Sequence, residues 1–496
     1  MYSACSIRRA RKAALPAVLA AVLLHAASCV APLGPGYTVE RKSMEVAYVS
    51  SGQPRVHVRT SWRMKNTGNG PLEALDVGVP GEERYGVTNL QAVVDGRAVS
   101  PAAVAGGALH ITFEPPWAQN ERREVIIEYE LGKPAPYQGV TMETDFVILT
   151  GGGWYPTLRP PRGNFAKVLD EKPLDVAVRV PEGFRANSGG KTRGVRKDAG
   201  NLVYRFRAKK ENGRLYVVAG RFFEQRFSRD TTTIVFWMLK APWPQEQLNR
   251  AGARLADCLE AYENEFGALP GDKVEEPYRV VAVPSWPAQF VAGIPVFIAP
   301  GFTRGVVIPA QDESPEKANN YNLMVAAYEL PEFWFGTPAR TRSGAIPVFN
   351  MSLMQYAARF VGAEYFGGKP ERAAAVRQTL QSFDHFARDP GSPKLPPLAA
   401  IAQNEERGER LLVLLKSELF LAALEDQCGQ DGLRRALRHL AGTLGGTAYG
   451  YTELRSALES ECHADLGPVF RAWLYETDIP AEFRHRYETP GRPSTP

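Results

Sequence analysis

Two carboxylates and a phenol stand close together in "AAYELPEFWFG", residues 326–336: Tyr328, Glu329 and Glu332. Paired carboxylates serve glycoside hydrolysis when they flank a bond, one as acid and the other as base or nucleophile. Glu329 and Glu332 are three residues apart, so on a helix they point the same way instead of facing each other across a substrate. A solvated pair, or one bridged to Arg340 or Arg342, suits that spacing better, and metal-free hydrolysis through the two stays open as an alternative. The histidines are dispersed. His57 and His110 fall in the first half, while His385, His439, His463 and His485 fall in the last third, and no two of them have the i, i+4 spacing that puts two imidazoles on one helix face. No C-x-x-C joins any of the five cysteines, which excludes a zinc ribbon and a dithiol redox motif.

The elements that must position these residues change character along the chain. From about Tyr37 to Leu239, segments such as "RVHVRTSWRM", "ALHITFEP", "REVIIEYEL", "LDVAVRVPEG", "LVYRFRA" and "TTIVFWML" alternate β-branched or aromatic residues with polar ones between Gly, Pro, Asn and Asp clusters. That pattern predicts antiparallel β-sheet, as one extended domain or two sandwiches. After Pro242 the period becomes helical: Leu248, Ala251, Leu255, Leu259, Tyr262 and Phe266 recur at three- and four-residue steps, and Gly267 should stop the helix. A strand, "YRVVAVPS", follows. Beyond Ser314 the chain reads as successive helices, interrupted by "DPGSPKLPPL", whose four prolines make a stiff loop.

Length and composition bound the class. A chain of 496 residues is expected to hold roughly three domains. Its 44% hydrophobic and 23% charged content is that of globular protein, and its net charge of +5 is spread without the basic, aromatic-interleaved stripe that nucleic acid requires. The start differs. Arg8, Arg9, Arg11 and Lys12 precede an apolar run broken by Pro16 and His25, too short to span a bilayer, which reads as an export signal. The run ends in "AASC", similar to a bacterial lipobox although Ala26 stands where leucine is usual; lipidation at Cys29 and plain cleavage near Ser28 are the two readings. Val30 after that cysteine favours, by the same resemblance, the outer membrane of a Gram-negative cell. In that oxidising compartment Cys428 and Cys462 are a candidate disulfide, while either could equally remain a buried thiol, as could Cys258.

The order of a β half, a small α/β unit and a helical half resembles the membrane alanyl aminopeptidase family of gluzincin zinc peptidases. "SWRMKNTGNGPLEALDVGVP", "WYPTL" and "EAYENEFGALP" followed by "YRVVAVP" carry the likeness before the motif region. In the family, two histidines of an H-E-x-x-H helix and a glutamate about 18 residues further on hold zinc, and the first glutamate activates the metal-bound water. Aligned on Trp334, Phe335 and Gly336, the histidines fall on Tyr328 and Glu332, the general base on Glu329, and the third ligand on Met351 in "VFNMSLMQY". The family's amine-binding glutamate falls on Val296 in "GIPVF", and its transition-state tyrosine on Leu414, with Lys416 kept. Tyrosine is neutral near pH 7 and a thioether suits zinc poorly, so Glu332 alone is an ordinary donor. Pro331 would also kink a ligand-bearing helix.

The resemblance therefore implies a multi-domain chain: an all-β N-terminal saddle or sandwich region, then a thermolysin-like α/β plus α-helical peptidase-like domain. The boundaries are 1–29 for a lipoprotein-type signal, 30–240 for the β-rich domain, 241–345 for the α/β subdomain with its degenerate zinc helix, 346–486 for the helical subdomain and 487–496 for a disordered tail. The functional expectation is a pseudopeptidase without cofactor, lipid-anchored, facing the periplasm or the cell surface, that binds an unidentified envelope protein or peptide and no nucleic acid. The competing expectation is an active zinc aminopeptidase with non-standard ligands.

Overall fold

Alternation along single strands fixes the first half. In Arg55–Asn66, Val56, Val58, Thr60, Trp62 and Met64 are buried and the residues between them face outward, the signature of a sheet with one wet face. The computed structural model describes residues 36–80, 85–100, 102–104, 108–132, 140–149, 154–158, 172–208, 215–239, 241–268, 278–284, 305–310, 334, 340–341, 353, 356, 372–388, 395, 397–400, 407–443, 448–449 and 451–488. Its largest sheet has eight strands, in the order 191–198, 201–208, 174–181, 37–49, 55–66, 122–131, 87–94 and 97–99. Every neighbouring pair is antiparallel except Tyr37–Val49 with Leu174–Pro181, which run parallel. Two four-stranded sheets complete this half, one centred on Val217–Gly220 and Phe146–Leu149, the other on Leu72–Gly78 and Ala108–Trp117. Their inner faces close one apolar core that includes Trp62, Trp117, Tyr129, Trp154 and Phe184.

The strands Phe223–Arg229 and Thr232–Met238, which by pattern continue the β half, begin a different sheet. They form a hairpin, and Thr232–Met238 then pairs in parallel with Tyr278–Pro284, itself parallel to Gly305–Ala310. Parallel neighbours need a crossover, and helix α1, Gln245–Phe266, lies in it. The α/β unit thus starts in space before residue 241. A small apolar cluster joins it to the β half: Phe222 stacks on Trp237 with centroids 5.4 Å apart, and Ile148, Tyr216 and Val281 pack beside them. Within the unit α1 lies so close to the hairpin that a Cβ on Gly252 would come within 2.2 Å of the Phe227 ring.

Helices follow: α2 (Arg372–Ala387), α3 (Arg407–Thr443), α4 (Tyr451–Cys462), α5 (Gly467–Leu474) and α6 (Ala481–Glu488). The α3 segment is two helices joined at Gly429, whose φ of 68° and ψ of 161° are not helical. The sequence signal "QCGQDG" divides the two apolar runs at that point. The last helix continues through Tyr487 and Glu488, two residues into the stretch 487–496 expected to be disordered. Its anchor is Tyr487, buried and donating from its hydroxyl to Asp426 at 2.8 Å. No helix among the described residues is long and apolar enough to cross a membrane.

Cys428 and Cys462 are disulfide-bonded and tie the Gly429 joint to the end of α4. Closing a loop with a sequence separation of 34 removes unfolded-chain entropy worth about 3–4 kcal/mol. Replacing both cysteines by alanine should lower unfolding free energy by about that amount in urea titration. An unchanged midpoint would mean that apolar packing alone holds the joint.

Candidate functional site

The stretch that carries the peptidase-like motif reaches the described core through a few fixed points. Tyr328, Glu329, Glu332, Met351 and Val296 lie outside the described residues, as does Cys29. Trp334 is one fixed point. Its indole is 1% exposed and packs against Tyr262 and Phe266 of α1, with centroids 5.9 Å and 6.0 Å away. Its Nε1–H donates to the carbonyl of Gly267 at 2.9 Å. Gly267 ends α1 with φ of 84°, and carbonyls at a helix C-terminus lack intrahelical donors. Trp334 supplies one of the missing donors, so its place in "EFWFG" is explained by packing and capping.

The second fixed point follows the third ligand position. Leu353 and Tyr356 are three residues apart in helical conformation, which puts them on one face, and both are buried. The Tyr356 hydroxyl hydrogen-bonds the Glu425 carboxylate on α3, itself 6% exposed. A buried carboxylate without a donor is costly, so this bond fixes the segment 353–356 to α3.

Leu414, which the resemblance aligns with the family's transition-state tyrosine, lies on α3 and offers an alkyl group with no hydroxyl. Two residues on, Lys416 is fully buried and its Nζ donates to the carbonyl of Glu476 at 2.5 Å. Burial pushes its amine down to about 8 from an ordinary 10.5, against the opposing pull of Asp478 and Glu476. Glu418, on another side of the same helix, accepts from Thr379 of α2 at 3.3 Å. Glu418, Glu425 and Thr379 were not singled out from sequence. The visible signal was two glutamates seven residues apart inside the apolar run "LLVLLKSELFLAALED", a place where carboxylates need partners.

Among the described residues no three His, Cys, Asp or Glu side chains gather as a metal site. The donor chemistry of Tyr328, Glu332 and Met351 therefore rests on residue type. Cys258 is buried in α1, and burial raises its thiol to about 12, so it is inert as a nucleophile near neutrality.

No protein-family model and no curated protein sequence matches this chain. Solved structures do. An M1 zinc metallopeptidase from Deinococcus radiodurans superposes with a TM-score of 0.60 at 18% identity, covering 90% of this chain and 95% of the other. A glutamate-to-alanine mutant of it gives 0.60 at 17% identity, covering 90% and 96%. The same kind of mutant bound to a Tyr-Ser-Ala substrate gives 0.58 at 16% identity, covering 90% and 95%. The chain thus shares the fold of M1 zinc metallopeptidases, the alanyl aminopeptidase family, with its large β-sheet region before a helical region.

Lys416 yields a signed prediction. The unfolded chain holds this proton up to about 10.5 and the folded chain only to about 8. Folding therefore releases it between those values, and the residue's contribution to stability rises with pH across that window. Compared with Lys416→Met, the wild type should gain relative unfolding free energy between pH 7.5 and pH 9.5. A gap that stays constant would place the amine in water.

Proposed function

We propose that this chain is a pseudopeptidase: an aminopeptidase-like body that binds a protein or peptide in the bacterial envelope and is held to the membrane by lipid at Cys29. The observation that carries the reading is the set of residues at the metal-ligand positions, Tyr328, Glu332 and Met351. A neutral phenol, one carboxylate and a thioether do not fit zinc, which takes imidazole, thiolate and carboxylate donors. No step is therefore routed through a metal. Val296 and Leu414 point the same way, because they remove the carboxylate that would pair a peptide ammonium and the hydroxyl that would stabilise an oxyanion. The coordinated loss of metal ligands, amine anchor and oxyanion donor is what release from catalysis leaves behind.

What remains suits binding. Packing and hydrogen bonds tie Trp334 to α1 and Tyr356 to α3. The solved neighbours include forms bound to L-arginine, L-tryptophan and a Tyr-Ser-Ala peptide, which makes a short peptide or an extended chain end the ligand class to try first. The basic and apolar start of the chain, ending at Cys29, supports export and lipid anchoring, with the outer membrane as the destination.

A second reading is an active zinc metallo-aminopeptidase with other ligands, favoured by Glu329 at the general-base position. Hydrolysis separates the two. Residues 30–496, assayed on aminoacyl amides with added zinc, should show no rate above buffer, and Glu329→Gln should change nothing. Turnover that a chelator abolishes and zinc restores would establish the enzyme instead.

A further inference from the structure

The chain enters its largest sheet at a fixed point, and that point is surrounded by cations. Gly36 is pinned by its carbonyl, which accepts from the backbone N–H of Thr67 at 2.9 Å and of Gly68 at 2.7 Å. On the solvent face next to it, Thr38 pairs with Lys65 and Lys65 with Arg122; one step further in, Arg41 pairs with Arg63. Paired residues share a face, and like charges directly opposite each other are destabilising. Arg41 and Arg63 are both exposed and such a pair. None of the side chains of Arg41, Arg63 and Lys65 makes an ion pair or hydrogen bond among the described residues.

The local carboxylates are committed elsewhere or shared. Glu40 is the extra residue of a bulge between Val39 and Arg41, and it reaches over the neighbouring strand to Arg122, at 2.9 Å. Its carboxyl is held below the usual range, first by the hydrogen bond from Arg122, with Arg63 and Lys65 adding to the pull. Glu124 accepts from Ser61 at 2.7 Å, and Glu121 lies 3.5 Å from Arg123. Four cations, Arg41, Arg63, Lys65 and Arg122, thus share two carboxylates, Glu40 and Glu124, the latter directly across from Arg63, and the face keeps a net positive charge.

Cys29 is seven residues before Gly36 in the sequence. A segment of that length spans at most roughly 25 Å, so an acyl anchor at Cys29 would keep this end of the sheet within about that distance of the bilayer. A lipid anchor together with basic residues is the pairing that gives stable attachment to an anionic surface. We infer that the face formed by Arg41, Arg63, Lys65 and Arg122 docks on anionic phospholipid head groups and sets the orientation of the molecule on its membrane. The inference rests on the lipid-anchor reading for its geometry, while the charge cluster itself does not depend on it.

The test uses residues 30–496, which hold every described element and no acyl chain. Cosedimentation with vesicles of phosphatidylcholine containing about a third phosphatidylglycerol should show binding that weakens with salt, and pure phosphatidylcholine should show none. The triple variant Arg41→Gln/Arg63→Gln/Lys65→Gln leaves the Glu40–Arg122 pair intact and should bind at least ~10-fold more weakly with an unchanged melting curve. Lys191→Gln/Arg193→Gln, on the far edge strand, should bind as wild type. Equal binding to neutral and anionic vesicles, an undiminished triple variant, or a loss confined to the far-edge variant would each overturn the inference. Radiolabelled palmitate uptake by the full chain, compared with Cys29→Ala, tests the anchor separately. Label without vesicle binding removes the docking face, and vesicle binding without label removes the anchor and leaves the face.

Discussion

The first part of the long helical segment Arg407–Thr443 is the element on which the second half is assembled, because from Leu412 to Glu425 it is buried on nearly every side. Leu412, Leu419, Phe420, Leu421 and Leu424 are all buried within six turns of the chain or fewer, so neighbours must cover the whole circumference. α1, α2, α4 and α5 do so, and Phe420 is enclosed by Phe470 and Trp473 of α5 at 5.2 Å and 6.0 Å. A helix enclosed in this way must satisfy each of its polar side chains locally. Lys416 bonds the carbonyl of Glu476, Glu418 bonds Thr379, and Glu425 bonds Tyr356. Each bond fixes a different neighbour in place. The last of them fixes Tyr356, five residues beyond Met351 in the sequence, to the hub.

That arrangement holds the helical half together by packing and buried hydrogen bonds. The residues of the motif region that resemble the family and can be located, Trp334 and Tyr356, are those with apolar surface to bury or a backbone group to satisfy. The positions that the resemblance aligns with metal- and amine-binding residues, Tyr328, Glu332, Met351 and Val296, lie outside the described residues. At 16–18% identity the likeness to M1 zinc metallopeptidases is one of fold.

Local features were legible in the sequence to the extent that they are periodic. The two-residue alternation of Arg55–Asn66, the stripe of α1 with its stop at Gly267, and the break at Gly429 all follow from short-range chemistry. Long-range pairing is not periodic and could not be read. Tyr37–Val49 lies parallel to Leu174–Pro181, and Thr232–Met238 pairs beyond α1 with Tyr278–Pro284, because apolar strands of similar composition compete for the same edge. In the site region the sequence supplied residue types at the positions the resemblance aligns, Tyr328, Glu332 and Met351, which lie outside the described residues. Residue types could not disclose that Trp334 caps Gly267 or that Lys416 serves Glu476, since both partners are distant in sequence and are backbone carbonyls, which carry no signature of their own.

The claim on which the account turns is that the residues replacing the family's ligands hold no metal. Metal content by plasma mass spectrometry tests it most directly, on residues 30–496 purified without chelator, offered excess zinc and then dialysed. The account predicts zinc far below one equivalent per chain, before and after the addition. One tightly held zinc per chain, lost when Glu332 is changed to alanine, would contradict it and restore the enzyme reading.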